Sequence, residues 1–123
     1  MIFDSNVLIQ AAKEPAPQVI GMLAQGECAT ASVVRIEVYG FKGLVSGEKL
    51  ALDEIFKHLQ LHELTKPVVE RAITLRQERK MGLADAIIAA TALVHALPLV
   101  TRNGDDFKHI KELRLMDPFD PKA

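Results

Sequence analysis

The chain reads as an α/β protein built on a central, mostly parallel β-sheet flanked by α-helices. Three observations predict this class. Short apolar runs, Ile2-Phe3, Cys28-Ala29-Thr30 and Leu99-Val100, alternate with longer stretches of helical period, the pattern of βα units. One stretch, Leu83 to Leu93, is alanine-rich and almost wholly apolar, and therefore too hydrophobic for a surface helix. Four acids, Asp4, Glu37, Asp85 and Asp106, each follow or interrupt an apolar element, and open parallel sheets bind ligands beyond their strand ends.

At 123 residues the chain suits one domain, residues 1–123, with a single hydrophobic core. Its formal net charge of -1 excludes a global attraction to nucleic acid or membrane, so any polyanion must be bound locally. Cys28 is the only cysteine, which excludes an internal disulfide and fits a reducing compartment. Met1 runs into Ile2 and Phe3 with no basic region or cleavable apolar segment, and the run from Ala86 to Val100 is too short to span a bilayer. A cytoplasmic protein is expected.

Ile2-Phe3 is a very short strand ending at Asp4, where an acid serves equally well as a reactive group or as a turn cap with Ser5 and Asn6. A helix begins at Val7, the segment Glu14 to Pro17 breaks it, and Gln18 to Gln25 forms a second helix with Val19, Ile20, Met22 and Leu23 inward until Gly26 stops it. Glu27 to Thr30 is a strand. Ser32 is an N-cap candidate for Val33 to Phe41, a segment whose β-branched residues favour a strand and whose Val34, Val38 and Phe41 favour a helix. On a helix Glu37 would lie along an apolar side, an unusual place for an unpaired charge; paired at the surface it would be ordinary.

After a loop at Gly43 to Gly47, Leu50, Leu52, Ile55, Phe56 and Leu59 mark an amphipathic helix, and Leu61 to Leu64 a short strand. His58 and His62 have metal-pair spacing only if that helix continues, and no cysteine or third histidine joins them. Pro67 opens the next helix, with Val68, Val69, Ala72, Ile73 and Leu75 inward. Its basic end, Arg76 to Lys80, is accounted for by the helix dipole, with phosphate contact the lesser reading. Gly82 precedes the alanine-rich helix and puts Asp85 in the first turn, where capping alone would explain an acid. Pro98-Leu99-Val100 is a buried strand leading into the polar run Thr101 to Asp106. Ile110, Leu113, Leu115 and Met116 close the core, and a loose tail runs from Pro118 to Ala123.

Converging carboxylates would repel one another unless a hard cation neutralised them, and Mg2+ or Mn2+ takes carboxylate and water oxygens. At these residues the chain resembles the PIN-domain ribonucleases, above all the VapC-type toxins of toxin-antitoxin pairs. Phe3-Asp4-Ser5-Asn6-Val7-Leu8-Ile9 is similar to the family's opening motif, and Ser32, Glu37 and Tyr39-Gly40 to its second. Leu83-Ala84-Asp85-Ala86-Ile87-Ile88-Ala89-Ala90 resembles the third, and Thr101-Arg102-Asn103 with Asp106-Phe107 the fourth. The set covers nearly the whole chain in order.

The resemblance implies a PIN-like fold, a helix around Glu37, and a metal-dependent endoribonuclease using Mg2+ (Mn2+ as the alternative). Asp4 and Asp85 would be the principal metal ligands, Glu37 and Asp106 completing the acidic pocket directly or through water, with Asp106 preferred over Asp105. Ser5, Asn6, Thr101 and Asn103 would orient carboxylates or waters. It further implies products with a 5'-phosphate and a 3'-hydroxyl, a homodimer, and a cognate VapB-type antitoxin covering the groove. Arg35, Lys42 and Arg102 are candidates for steering the RNA backbone, against the plainer reading of solvated surface charge. Other classes fit less well. A receiver module needs an acidic doublet after its first strand and a lysine after its last, and an aspartyl-nucleophile phosphatase needs an acid where Asn6 stands. A catalytically weak binding module of the same fold stays open.

Overall fold

In a computed structural model of the chain, which describes residues 1–14 and 16–120, five parallel strands form one sheet in the order β3-β2-β1-β4-β5. The strands are β1 (Ile2–Phe3), β2 (Ala29–Ala31), β3 (Gln60–His62), β4 (Leu99–Val100) and β5 (Leu115–Met116). Helices α1 (Ser5–Lys13), α2 (Pro17–Ala24), α3 (Ser32–Tyr39), α4 (Ser46–Phe56), α5 (Lys66–Glu78) and α6 (Leu83–Val94) connect them. The chain runs from β1 out to β3 on one side, then crosses to β4 on the other side of β1. The direction of winding therefore reverses between β1 and β4, and a crevice opens beyond their carboxyl ends. Phe3 lies in register with Val100, so the next residues, Asp4 and Thr101, leave the sheet side by side.

The strands are short because each needs only two or three buried residues to cross the core, where Ile2, Phe3, Leu99 and Val100 are all fully enclosed. Helix α6 is the helix of the core. Its Ala86, Ile88, Ala89, Ala90, Thr91 and Ala92 are buried, and it packs on α5, α3 and strands β1 and β2. Alanine both favours the helix and lets these neighbours come close. Thr91 is tolerated there because its hydroxyl donates to Ile87 O at 2.7 Å. Phe107, also fully buried, fills the far side below the last connection. Gly26, at φ 133°, makes the turn after α2 in a region closed to side chains.

Several sequence expectations shift. Helix α1 begins at Ser5, because Asp4 caps it, and the ambiguous segment at Val33 is helical, with Val34 and Val38 inward and Ile36 exposed. Ser32 does not cap that helix; Ala31 holds the cap position and the Ser32 hydroxyl donates to Glu63 Oε2 at 2.8 Å. Glu27 and Cys28 precede β2 rather than belonging to it, and α4 starts inside the expected loop. Ile20, Leu50, Val69 and Ile73 belong to the apolar helical pattern, yet all are exposed, as is Met116. Periodicity marks an apolar face but not how wide a stripe the neighbours cover. His58 and His62 share no helix, since α4 ends at Phe56; His62 instead stacks on His95 with centroids 3.7 Å apart. Pro15 and the tail at 121–123 lie outside the described residues.

Candidate active site

Asp4 is the only buried charged residue among the described residues. It is 4% exposed, at the carboxyl end of β1 and the N-cap of α1. Oδ1 accepts the Ser5 backbone N–H at 2.8 Å, while Oδ2 accepts the Thr101 hydroxyl at 2.8 Å and the Asn6 amide at 3.3 Å. Thr101 is itself oriented: its Oγ1 accepts the Asn103 backbone N–H at 3.0 Å, which leaves its one proton for Asp4. Asn6 then spans the crevice, its Oδ1 accepting the Arg102 backbone N–H at 3.2 Å. The ends of β1 and β4 are thus tied together through one carboxylate.

The other acids come from different elements. Asp85 sits in the first turn of α6, half-buried, and its carboxylate makes no hydrogen bond among the described residues. It does not cap α6, so the plain explanation of this acid fails. Burial raises its pKa, and the charges of Asp4 and Asp106 raise it further. Glu37 projects from α3. Although solvent-exposed, it is pushed up first by the partial burial of its carboxyl, is drawn back down by the Ser5 hydroxyl, and feels both Asp4 and Asp85. For Asp4 burial is again the largest cause, opposed by the Thr101 and Ser5 hydrogen bonds and reinforced by Asp106. Asp4, Asp85 and Asp106 each act electrostatically on another of the four acids, and Glu37 feels two of them, so distant parts of the chain meet in one place.

Asp106 ends a single 3-10 turn, Gly104–Asp106, closed by its N–H to Asn103 O at 3.0 Å. Its neighbour Asp105 points elsewhere, to Lys108 Nζ at 3.3 Å, and only Asp106 acts on the other acids. Asn103 contributes through its backbone; its side chain makes no hydrogen bond among the described residues. Beside Asp106 a cleft of about 780 Å³ runs between Thr101, Arg102 and Asp117, adjacent to the acids rather than over them.

The three candidate steering cations differ. Arg102 is held over the Phe119 ring at 4.9 Å and bonded to Gln10 Oε1 at 3.1 Å, which fixes it at the cleft wall. Arg35 lies over Tyr39 at 4.7 Å and Phe56 at 5.6 Å, where it joins α3 to α4. Lys42 is exposed and makes no contact with another charge among the described residues. Sequence reasoning missed Gln10 and Phe119, whose roles depend on the fold returning residue 119 to α1.

The donors are hard oxygens, the class that Mg2+ and Mn2+ accept. Among the described residues no three acidic, imidazole or thiolate side chains converge as a closed cation cage. A hydrated Mg2+ keeps several waters and takes one or two carboxylates directly, and Asp4 and Asp85 are the residues that would hold it.

Comparison with known proteins accords with this architecture. Residues 1–113 match the model of the PIN domain, and the chain belongs to that family. It is similar to the structure of a toxin-antitoxin complex from Klebsiella pneumoniae, with 30% identity, a TM-score of 0.76, and coverage of 97% of this chain and 98% of that one. VapBC2 from Rickettsia felis bound to a promoter DNA fragment shares the fold at 24% identity, TM-score 0.80 and coverage of 95% and 98%. DNA-bound VapBC from Salmonella typhimurium does so at 23%, 0.81, and 95% and 96%. The comparison with curated proteins gives no match. The expected PIN-like, VapC-type fold is therefore the observed one, and among the described residues no helix is long and apolar enough to cross a membrane.

Proposed function

We propose that this chain, as a single PIN domain of residues 1–123, is a metal-dependent endoribonuclease and the toxin of a type II toxin-antitoxin pair. The observation that carries the reading is the convergence of Asp4 and Asp85 on one crevice, where the charge of Asp4 raises the pKa of Asp85. Such a pair is unfavourable in a protein with no use for it. Asp4 and Asp85 would hold Mg2+ or Mn2+, with Glu37 and Asp106 acting through bound water. When bound, the ion lowers the pKa of a coordinated water and offsets charge on the phosphate oxygens. The chain's own groups prepare this arrangement. Thr101, Asn6 and the Ser5 N–H fix both Asp4 oxygens, the Ser5 hydroxyl faces Glu37, and Arg102 is braced at the cleft to meet the RNA backbone.

A VapB-type antitoxin that covers the groove is the partner this reading implies, and the toxin-antitoxin complexes among the similar structures support it. An apolar hollow of about 400 Å³, lined by Val19, Ile20, Leu23 and Ile55, gives a protein partner a seat. The exposed Val69 and Ile73 of α5 are compatible with a homodimer, and a cytoplasmic site of action fits an RNA substrate.

Cleavage of a mixed structured-RNA pool by antitoxin-free protein tests the reading, with Mg2+, Mn2+ or chelator, beside Asp85→Asn. Cutting that needs metal and Asp85 is expected; folded wild-type protein that cuts nothing with either ion would refute it.

A further inference from the structure

The basic end of α5 leads directly into the helix that carries Asp85. Helices α5 and α6 pack together, joined by the short link from Arg79 to Gly82, and α6 then presents Asp85 in its first turn. The five residue-to-residue steps from Lys80 to Asp85 span at most about 18 Å of chain. The helix dipole explains only part of this basic run. Arg76 answers it from the last turn of α5, and its Nε donates to Met81 O at 3.2 Å and so pins the link. Arg79 and Lys80 lie beyond the last helical residue and are exposed. None of Arg76, Arg79 and Lys80 forms an ion pair among the described residues, although four other surface cations do. Residues 76–81 line a shallow groove of about 520 Å³ in which Glu78 is the only acid.

Building on the nuclease reading, we propose that this α5–α6 turn is a phosphate-binding rim that holds the backbone of single-stranded RNA next to the carboxylates. The chain's net charge is -1 and its reactive crevice is acidic, so a polyanion needs cations placed close by and left unneutralised. Arg79 and Lys80 meet that requirement in the turn that leads into the Asp85 helix, a different connection from the one after β4 that carries Arg102. The rim contains no aromatic ring, so it would read the backbone rather than the bases.

Binding of a fluorescent oligouridylate of about 20 nucleotides, long enough to extend past the crevice, tests this. Asp85→Asn protein prevents cutting during a titration between about 50 and 200 mM salt. Adding Arg79→Gln and Lys80→Gln should weaken binding several-fold and lower the slope of log K against log salt by about 1.4, or about 0.7 for each lost phosphate contact. A variant with Lys49→Gln and Lys57→Gln changes net charge equally at cations that are paired with Asp53 and Glu54, and it should keep the slope. Equal losses in both variants, or no loss from Arg79 and Lys80, would overturn the proposal. Polyglutamate binding that depends on these residues while RNA binding does not would also overturn it, in favour of an acidic protein partner. RNA held through the turn by a wild-type protein that never cuts would support the rim and reject the nuclease.

Discussion

Asp4 and Asp85 are two acids in one crevice with opposite surroundings. Asp4 accepts three well-placed hydrogen bonds, whereas Asp85 accepts none among the described residues, and this difference predicts how each tolerates change. Asp85→Asn loses no hydrogen bond and removes a like charge. It should abolish cleavage, by at least ~10²-fold, and leave the fold intact. Its effect on stability has a definite sign. The carboxyls of Asp4, Glu37 and Asp85 are raised in the folded protein, so the native state holds its protons more tightly than the unfolded chain. Their contribution is best at acid pH and declines as pH climbs from about 4 through their raised native values. Metal-free Asp85→Asn should therefore gain stability relative to wild type as pH rises across that window, measured by urea unfolding at each pH; a gain that grows toward acid would contradict the assignment. Thr101→Val leaves Asp4 Oδ2 short of a donor and the Asn103 N–H without its acceptor. Isothermal titration of Mn2+ should show an affinity lower by about 10–100-fold.

At the scale of the element, α3 carries Glu37 and is held at its C-terminal end. Tyr39, the only tyrosine, donates to Asp53 Oδ1 at 2.7 Å, packs against Phe56 at 5.4 Å and lies under Arg35. Burial raises its pKa most, with the Asp53 contact adding to it, and the value reaches about 12. A spectrophotometric titration follows this one phenol without interference from tryptophan, and its midpoint should lie near 12 rather than near the ordinary ~10. Tyr39→Phe should return the Asp53 bond to water and cost about 0.5–1.5 kcal/mol in urea unfolding. Directly after it, Gly40 ends the helix where an added Cβ would come within 2.5 Å of Ile36 O. Gly40→Ala should therefore shift the end of α3 and cost about 1–3 kcal/mol, the range for forced overpacking.

At the scale of the whole molecule, the site exists because the sheet reverses direction between β1 and β4. The acids come from β1, α3, α6 and the turn after β4, and their mutual repulsion is an unfavourable contribution borne by the entire fold. Mn2+ or Mg2+ should raise the Tm of the wild type at neutral pH, because any ligand of the native state stabilises it, and the gain should shrink in Asp85→Asn. Differential scanning fluorimetry with and without chelator reads both. The core that supports this strain is small, with Phe107 and Phe3 as its largest fully buried side chains.

The class of the fold was legible in the sequence, as were four acids that made candidates for a site. Strand–helix alternation is a local pattern, and the acids stand out because each interrupts an apolar run where charge is costly. What surrounds each of those acids became visible only in the fold. Whether Asp85 was a cap or a free carboxylate turned on hydrogen bonds, and whether Asp105 or Asp106 joined the site turned on the path of a single 3-10 turn. The segment at Val33 became a helix although its β-branched residues equally suited a strand, because as α3 it buries Val34 and Val38. The exposed Ile20, Val69 and Ile73 were hidden from periodicity for the same reason. A pattern along the chain records which face is apolar, whereas burial depends on which neighbours arrive to cover it.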